Sequence, residues 1–578
     1  MHEGPTKPAR SSKQLAADRN ARGLGRKVAK GFALLFGKSL TTRVLNFLGT
    51  IVLAKLLLPE HFGLVALSLT VTQIVTVACQ AGVPQVLVQR HRRFHLWAGP
   101  AFWLGIATAV PGYLVCAAIA PLAARMYDDP LVVGVILVLA LEILVRVPGL
   151  VHRSKLISDM RYGLLAVAEV CGAIVQYGGA VILAVIDPEL GAYALVWARV
   201  GGAATRVAIN VATANVSIDF AFKFRRWKYL LSDSVAVLGG RLIEAFIGVG
   251  AASVVGVMYG AEASAAAAGV LYLAKAFSTQ AAALLAQNLR PVLLPAMSKL
   301  KDDPDRLRAA AIKGIGCMVI AIGGVNVWQA VNAQPIANLV FGPKWDDAVL
   351  PFALLSISVL FTTIVVFSET TLWALGNFKG TLRLRLITLP AFLGFIALGT
   401  WLGQTFGPPG EAPTPETLSP ADAMGVAGAA AGQVAFGIFS FLLFAFATQG
   451  MSSWKSIVHW IARPIIATGI GGLAAWFAMA FVPGTDRLPA GLRFAAEYVG
   501  LDHVVDVARI VVSSIVLPIV TLASAWIVAP NVVAELLIRL SKPAPASAKR
   551  VLVAMIPPGH RPKRGAMSAH AASDDDGV

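Results

Sequence analysis

The segment Leu34–Gly63 is long and apolar enough to cross a membrane, yet it carries charged and amide side chains. A helix of roughly 20 apolar residues spans the hydrocarbon core of a bilayer. Within this segment Ser39, Arg43, Asn46 and Thr50 follow one another at steps of four, three and four residues, so they share one helical face. Because a cation at mid-depth costs at least roughly 2.5–3.5 kcal/mol in lipid, this face is expected to point toward other helices or a water-filled cavity.

The composition extends this prediction to the whole chain of 578 residues, of which 57% are hydrophobic and 14% are charged. Soluble proteins carry about 25% charged residues. The composition therefore predicts an all-α polytopic membrane protein, and the lack of strand-like alternation argues against an outer-membrane barrel. The formal net charge of +18 resides mainly in short loops and tails. This placement indicates membrane topology, and no nucleic-acid partner is expected.

Hydropathy and segment length predict about fourteen transmembrane helices, an even number. Their approximate limits are 33–57, 62–86, 96–120, 131–151, 162–186, 191–212, 233–258, 265–290, 309–330, 347–370, 382–402, 424–447, 458–482 and 507–529.

The positively charged loop residues favour one orientation in the membrane. With the N-terminus inside, most loop cations, Arg153 and Arg385 among them, fall in inner loops and tails. The outer loops then contain few cations: Arg125, Lys344, Arg487 and Arg493. Since cytoplasmic loops are enriched in Lys and Arg, both termini are predicted to be cytoplasmic.

The predicted organisation has two lobes of six spans, a linker between them and further segments at both ends. The ranges are 1–31 for a basic cytoplasmic tail, 32–212 for the N-terminal lobe, 213–232 for a cytoplasmic linker, 233–447 for the C-terminal lobe, 448–530 for spans 13 and 14, and 531–578 for a disordered cytoplasmic tail. The first and seventh spans share a pattern, Arg43-Val44-Leu45-Asn46 and Arg241-Leu242-Ile243-Glu244. Both would run outward, so the pattern indicates a parallel repeat with a site between the lobes.

Metal and cofactor chemistry have no sequence signal. The four cysteines each lie in an apolar run, and the nine histidines form no HExxH pattern. Buried small hydrophobes are the expected role of such cysteines. No cofactor and no metal site are expected.

Five short motifs are spread in order over roughly residues 35–450. They are Leu57-Leu58-Pro59-Glu60-His61-Phe62-Gly63, Gly82-Val83-Pro84-Gln85-Val86-Leu87-Val88-Gln89-Arg90, Leu294-Pro295-Ala296-Met297-Ser298-Lys299-Leu300, Phe341-Gly342-Pro343-Lys344-Trp345 and Trp373-Ala374-Leu375-Gly376-Asn377. In these motifs the chain resembles the polysaccharide flippase family (lipopolysaccharide or exopolysaccharide, Wzx-type) of the multidrug/oligosaccharidyl-lipid/polysaccharide exporter superfamily. The Ala-rich stretch 261–268 and the C-terminal tail depart from the family's pattern.

The resemblance implies two six-helix lobes with a cavity between them and two further helices at the end. It implies transport of a polyprenyl-pyrophosphate-linked oligosaccharide from the cytoplasmic to the periplasmic face of the bacterial inner membrane, by rocking of the lobes and without enzymatic chemistry. Membrane lipids are expected contacts, and a polysaccharide polymerase and glycosyltransferases are candidate partners.

A cavity for such a substrate needs fixed cations, and Arg suits phosphate because its fork donates two parallel hydrogen bonds. The substrate-binding candidates are cations deep in the spans and one amide on the first: Arg43, Arg241, Lys275, Asn46, Arg199 and Arg206. The alternative for each cation is snorkelling to a lipid head group or a structural ion pair.

The acids within the spans are the candidates for ion coupling. Glu142 lies one turn before Arg146, which predicts a structural ion pair. Glu244 follows Arg241 by three residues, so it either pairs with that cation or carries the coupling proton. Glu169 has no cation three or four residues away. As a lone carboxylate it is either a neutral acid bonded to a neighbouring helix or a proton carrier.

Two other functions stay open. A drug or cation exporter of the same superfamily would need a cavity of acids and aromatics, whereas the deep charges here are mostly cations. A membrane polysaccharide polymerase or glycosyltransferase would need a sizeable outer loop or paired acids. The outer acid pairs, Asp128-Asp129 and Asp346-Asp347, are each expected in a tight turn.

Overall fold

The computed structural model describes residues 40–80, 87, 94–216, 224–259, 261–298, 303–410, 418–449, 458–482, 501–541 and 556–557, and these ranges are helical and without strands. The predicted all-α class is confirmed. The predicted basic tail, residues 1–31, and the motif Gly82–Arg90 apart from Leu87 lie outside the described residues.

Fourteen long helices lie within the described ranges. The first seven are α1 over residues 40–56, α2 Pro59–Gln80, α3 Phe94–Tyr127, α4 Leu131–Ser158, α5 Tyr162–Ile186, α6 Ala192–Ala214 and α7 Phe224–Met258. The others are α8 Ala261–Ser298, α9 Pro304–Val331, α10 Val349–Ala374, α11 Phe378–Phe406, α12 Pro420–Gln449, α13 Arg463–Ala480 and α14 Leu501–Val528. A π turn, Val458–Ala462, leads into α13, and two short helices, Ala333–Val340 and Pro530–Ser541, follow α9 and α14.

Of the helices in the described ranges, 11 are long and apolar enough to cross a membrane. The other three long helices, α1, α6 and α8, coincide with predicted spans but carry many of the arginine, lysine and amide side chains discussed above. The number of fourteen crossings therefore stays a prediction, because these three do not show the required length or hydropathy on their own.

The first helix divides into two faces as predicted. Arg43, Asn46 and Thr50 are partly buried. The outward stripe recurs every four residues, is between 43% and 53% exposed, and consists of Leu40, Val44, Leu48, Val52 and Leu56. Apolar side chains exposed in this way face lipid without cost, whereas the polar face needs protein around it.

Two lobes can be recognised from helix packing. Helices α3 to α6 pack together in the first lobe, and α9 to α12 pack together in the second. Helix α2 joins the lobes, because it packs against α4 on one side and against α7 and α8 on the other. Helices α13 and α14 pack against each other and against α9, with Ala467 and Ala525 buried among them.

Two segments that were predicted as a linker and a disordered tail contain helix, while the domain division itself stays a prediction. The linker predicted over 213–232 is helical from Phe224 onward, and Trp227 of this extension packs against the cluster around Phe94 in the first lobe. The tail predicted to be disordered from residue 531 begins as the helix Pro530–Ser541, in which Val532 is buried. Both segments are amphipathic or short, so their mean hydropathy over a span-length window does not distinguish these helices from loops.

Candidate functional site

The outer end of the molecule, which carries the α1–α2 and α7–α8 turns and is predicted to face outward, is closed by contacts between the lobes. Trp345 lies just before α10, and its Nε1 donates to the backbone oxygen of Ala54 at 2.9 Å. Lys344 Nζ donates to the backbone oxygens of Lys55 and Leu57, each at 2.9 Å. The last carbonyls of a helix have no intrahelical partner. Side chains of the second lobe thus cap a helix of the first.

A close helix crossing reinforces this closure. A Cβ atom on Gly63 of α2 would overlap the backbone oxygen of Ala265, and one on Gly269 of α8 would overlap that of Pro59. The two helices therefore meet backbone to backbone, which small residues allow in membrane helices. Gly63 ends the motif Leu57–Gly63, so part of that motif serves the contact between the lobes.

Next to the closure lies a cavity of about 200 Å³ between α1, α2, α5, α6 and α8. It is called the inter-lobe cavity below, because α8 belongs to the second lobe. Its polar and aromatic lining residues are Thr50, Phe62, Gln176, Tyr177, Arg199, Tyr272 and Gln280.

Two further candidate arginines hold the amides of this lining. Arg43 Nη1 donates to Gln280 Oε1 at 3.4 Å, which joins α1 to the second lobe. Arg206 Nη2 donates to Gln176 Oε1 at 2.9 Å. The structure thus brings three of the predicted cations, Arg43, Arg199 and Arg206, to the inter-lobe cavity or to side chains that line it.

Glu142 lies between two arginines behind the cavity wall. Arg146 Nη1 donates to its Oε1 and Arg199 Nε donates to its Oε2, both at 2.8 Å. The predicted ion pair between Glu142 and Arg146 is confirmed. One carboxylate compensates two guanidinium groups here, so the wall of the inter-lobe cavity keeps a positive excess.

A smaller cavity of about 90 Å³, called the N-lobe cavity, lies inside the first lobe toward the end that is predicted to face inward. Its polar lining consists of Gln80, Arg146, Arg153, Glu169, Arg206 and Asn210. Glu169 lies 3.4 Å from Arg153 Nη2 and 3.3 Å from Arg206 Nε. Of the two alternatives for Glu169, the structure agrees with bonding to neighbouring helices, and the partners there are arginines. Its partners come from α4 and α6, which spacing along α5 cannot reveal.

A third cavity, of about 230 Å³, lies among α7, α8, α10, α11 and α12 and is called the C-lobe cavity. It brings together the predicted residues Lys275 and Glu244, with Arg385 on a third wall. Lys275 Nζ donates to the backbone oxygen of Ile247 at 3.4 Å. Arg385 is held by Glu369 through two hydrogen bonds, at 3.1 and 3.0 Å.

Two predicted site residues, Arg241 and Asn46, do not line any of these three cavities. Arg241 is partly buried on α7, one turn before Glu244. Asn46 is partly buried on α1, and its backbone oxygen accepts the hydroxyl of Thr50 at 2.7 Å. That Arg43 and Arg241 face each other across the cavity stays a prediction.

The sequence interpretation missed Arg153 and Arg385, which it assigned to inner loops. Both lie within helices and pair with an acid of the adjacent helix, 16 residues away in each case. The pairs occupy matching hairpins, α4–α5 and α10–α11, with the charges exchanged. Arg153 and Glu369 differ by 216 positions, as do Glu169 and Arg385. This constant offset was visible in the sequence and supports the parallel repeat.

Known proteins share this architecture. The lipid II flippase MurJ in an inward closed conformation matches with a TM-score of 0.62 at 11% identity, over 85% of this chain and 98% of that one. An inward-facing multidrug resistance MATE family transporter of the MOP superfamily matches with a TM-score of 0.54 at 13% identity, over 72% of this chain and 96% of that one. At these identities the likeness shows the fold alone, and it confirms the predicted two-lobe helical membrane fold.

Two curated proteins match about half of the sequence. The succinoglycan biosynthesis transport protein ExoT of Rhizobium meliloti is 25% identical over 319 residues, which cover 54% of this chain and 62% of ExoT. The lipopolysaccharide biosynthesis protein WzxC of Escherichia coli is 21% identical over 333 residues, which cover 53% of this chain and 61% of WzxC. The match thus spans about three fifths of the length of these relatives.

The resemblance drawn from the five motifs is confirmed by a family-wide comparison. The sequence profile described as "Polysaccharide biosynthesis protein" matches residues 52–350, which is more than half of the chain. This range contains α2 to α9 and the residues that line the inter-lobe and N-lobe cavities, apart from Thr50 at its edge. The chain therefore belongs to the polysaccharide biosynthesis protein family.

Proposed function

We propose that this protein moves a polyprenyl-pyrophosphate-linked oligosaccharide across the bacterial inner membrane, from the cytoplasmic to the outer leaflet, by alternating access of its two lobes. The observation that carries the proposal is the inter-lobe cavity, which is walled by arginine and lies beside a closure made of contacts between the lobes. The names of ExoT and WzxC, a succinoglycan transport protein and a lipopolysaccharide biosynthesis protein, support this substrate class.

The charges of the first lobe suit an anionic substrate. Its interior holds four arginines and two glutamates: Arg146, Arg153, Arg199, Arg206, Glu142 and Glu169. Guanidinium groups bind phosphate with paired hydrogen bonds, and these strengthen where water is excluded. A cationic drug would be repelled by the same excess, so the exporter alternative is disfavoured.

We assign phosphate binding to Arg43, Arg199, Arg206 and Arg241, with Asn46 and Lys275 as further polar contacts. The sugars would meet the amides of Gln176 and Gln280 and the rings of Tyr177 and Tyr272, which line the inter-lobe cavity. The lipid tail would stay among membrane lipids.

Such transport makes and breaks no covalent bond in the substrate, so we infer a transporter rather than an enzyme, working without a cofactor. The glycosyltransferases that build the glycan and the polymerase that extends it are proposed partners, since they supply and consume the transported molecule.

The function is tested in proteoliposomes loaded with a labelled lipid-linked sugar. The expected result is that the label changes leaflet while its chemistry stays the same. A product with altered chemistry would instead indicate a polymerase or glycosyltransferase. Efflux of a cationic dye without movement of the lipid-linked sugar would favour the drug exporter.

A further inference from the structure

The N-lobe cavity holds more positive than negative charge. Arg146, Arg153 and Arg206 line it together with a single carboxylate, that of Glu169. Glu142 compensates Arg146 from behind the wall, but it is shared with a further arginine of α6. Arg146 and Arg153 are 44% and 46% exposed, so an anion can reach them from solvent, and the surplus of guanidinium groups favours anion binding in this cavity.

Glu169 contacts two arginines of this cavity at long distances. Its distances of 3.4 Å to Arg153 and 3.3 Å to Arg206 exceed the roughly 2.7–2.9 Å of strong charge-assisted hydrogen bonds. The side chain of Arg153 is 46% exposed and that of Glu169 is 25% exposed. A carboxylate with long contacts and partial access to solvent can be displaced by an anion that binds guanidinium groups more strongly.

The matching pair of the second lobe shows the contrast. Glu369 and Arg385 make two hydrogen bonds of 3.0 and 3.1 Å, and their side chains are only 4% and 11% exposed. Equivalent hairpins therefore hold one closed pair and one open pair. The open pair is that of Glu169 and Arg153. It shares the N-lobe cavity with two further arginines, Arg146 and Arg206.

The cavity wall also presents a buried amide. Asn210 is 6% exposed, and its Oδ1 has no hydrogen-bond partner in the part of the chain that the structure describes. A buried polar atom without a partner costs free energy, so a ligand or water is expected to meet it. Since the Asn amide can present either its oxygen or its nitrogen by rotation, it can also donate to a phosphate oxygen.

We propose that the N-lobe cavity binds the diphosphate group of the substrate, and that Glu169 takes the place of this ligand between Arg153 and Arg206 until the diphosphate displaces it. The inference rests on the proposed function, because it gives that same substrate an entry site. At about 90 Å³ this cavity is less than half the volume of the inter-lobe cavity, so it suits a phosphate-containing head group rather than an oligosaccharide. Arg206 then links this site to the inter-lobe cavity through Gln176.

The test is a calorimetric titration of the full-length protein in lipid nanodiscs with inorganic pyrophosphate. Glu169→Gln removes the internal competitor with little change in size, and the affinity is expected to rise about tenfold. Arg153→Gln changes a half-exposed position that should tolerate substitution, and the affinity is expected to fall about tenfold, as for one lost charge-assisted contact.

Asp159→Asn is the matched control. It removes one carboxylate at the same end of α4, where Asp159 pairs with Lys155 at 2.8 Å outside the cavity. Its affinity should stay within about twofold of the parent, because surface pairs contribute little. An unchanged or weaker affinity for pyrophosphate in Glu169→Gln overturns the proposal. A rise in Asp159→Asn as large as that in Glu169→Gln also overturns it, because it would show an effect of overall charge.

A second arm uses farnesyl diphosphate, whose diphosphate is attached to a prenyl chain. Parallel shifts for both ligands support a lipid head group as the occupant. Shifts confined to inorganic pyrophosphate assign the site to free phosphate and overturn its place in lipid transport. The binding assay is independent of flipping. If the protein flips the labelled lipid but the variants do not change the affinity for the diphosphate ligands, only the proposed site is refuted. If the affinities change as expected but no lipid is flipped, the proposed function is refuted and the anion site remains.

Discussion

Among single residues, those of the buried ion pair between Glu369 and Arg385 are expected to affect the stability of the protein most clearly. Glu369→Gln keeps the size of the side chain but removes the carboxylate that accepts two hydrogen bonds from Arg385, a guanidinium that is 11% exposed. Breaking a buried pair from one side costs about 3–5 kcal/mol. We expect a clearly lowered Tm in detergent, with a smaller loss in Glu169→Gln, whose pair is looser. Equal losses in the two variants would contradict this difference between the lobes.

Arg43 is the residue on which the phosphate assignment depends most. Arg43→Ala and Arg241→Ala should each abolish glycan export while the protein stays in the membrane, because the anion loses a fixed counter-charge in a low-dielectric site. Lys should restore export only in part, since it lacks the fork of Arg. The measurement is polysaccharide export in a strain that depends on the plasmid copy. Arg125→Ala, at an exposed position of the predicted outer side, is the control. Full export by both Ala variants would refute the assignment.

Glu244 is the better candidate for proton coupling, because Glu169 is already held by two arginines. It lines the C-lobe cavity with Lys275 and Arg385, so its charge can alter how those cations are held. A gradient can drive the cycle only if the two states differ in affinity for the proton. Glu244→Gln mimics the protonated acid, and transport in proteoliposomes should become independent of an imposed pH gradient. Transport that follows the gradient as in the parent would exclude Glu244.

The sequence predicted which residues carry deep charge better than it predicted their partners. Arg43, Arg199 and Arg206, which were predicted as deep cations, each donate to a side chain of another helix, and their role in substrate binding stays a prediction. The partners of Glu169 and Glu369 were missed because they lie on other helices. Arg153 and Arg385 stand near the ends of apolar runs, where hydropathy alone places a residue in a loop. Ion pairs across helices depend on packing, which spacing along one helix does not determine.

At the scale of elements, the closure of the outer end depends on a few side chains before α10. Trp345 is fully buried, donates to Ala54 and packs edge-to-face against Phe62 with ring centroids 5.5 Å apart. Phe62 lies on α2 in the first lobe. These contacts tie the two lobes together, so their free energy favours the closed outer end over an open one.

Trp345→Ala is therefore expected to open the outer end. Truncating a buried Trp costs about 3–5 kcal/mol, and here most of this loss falls on the closed state. In a chain whose native cysteines are replaced, a cysteine at Thr50 reports on access to the inter-lobe cavity. Its labelling by a membrane-impermeant maleimide from outside should rise at least about tenfold. Trp401→Ala, at a side chain 53% exposed on α11, is the control. Unchanged labelling in Trp345→Ala would rule out this role.

Element positions were predictable where apolar runs are long. The predicted limits of 162–186 and 131–151 match α5 and the first part of α4, because charged or proline-containing turns bound these runs. The helix Pro530–Ser541 was missed because it is half the length of a span and buries only one face. Short amphipathic helices are stabilised by tertiary packing, which the local sequence does not show.

At the scale of the whole molecule, the charged groups of the first lobe form a connected series from the inner end toward the closure. Arg153 is the most exposed member, and Arg206 lines the N-lobe cavity while it donates to Gln176 in the wall of the inter-lobe cavity. Arg199 lines that second cavity. An anion entering near Arg153 would thus meet a new guanidinium group at each step, while the outer end stays shut by Lys344 and Trp345.

The direction of this series depends on the topology of the chain. The distribution of Lys and Arg predicts that the N-terminus, the C-terminus and the α4–α5 hairpin lie inside and that the α11–α12 connection lies outside. Paired fusions of green fluorescent protein and alkaline phosphatase distinguish the two sides. Fusions after Lys455 should fluoresce and lack phosphatase activity, and fusions after Gly407 should show the reverse, because one predicted span, which the structure describes as α12, lies between these sites. The opposite result at either site would invalidate the fourteen-span count. Inverted results at both sites would place the arginine series at the outer face and reverse the proposed direction of transport.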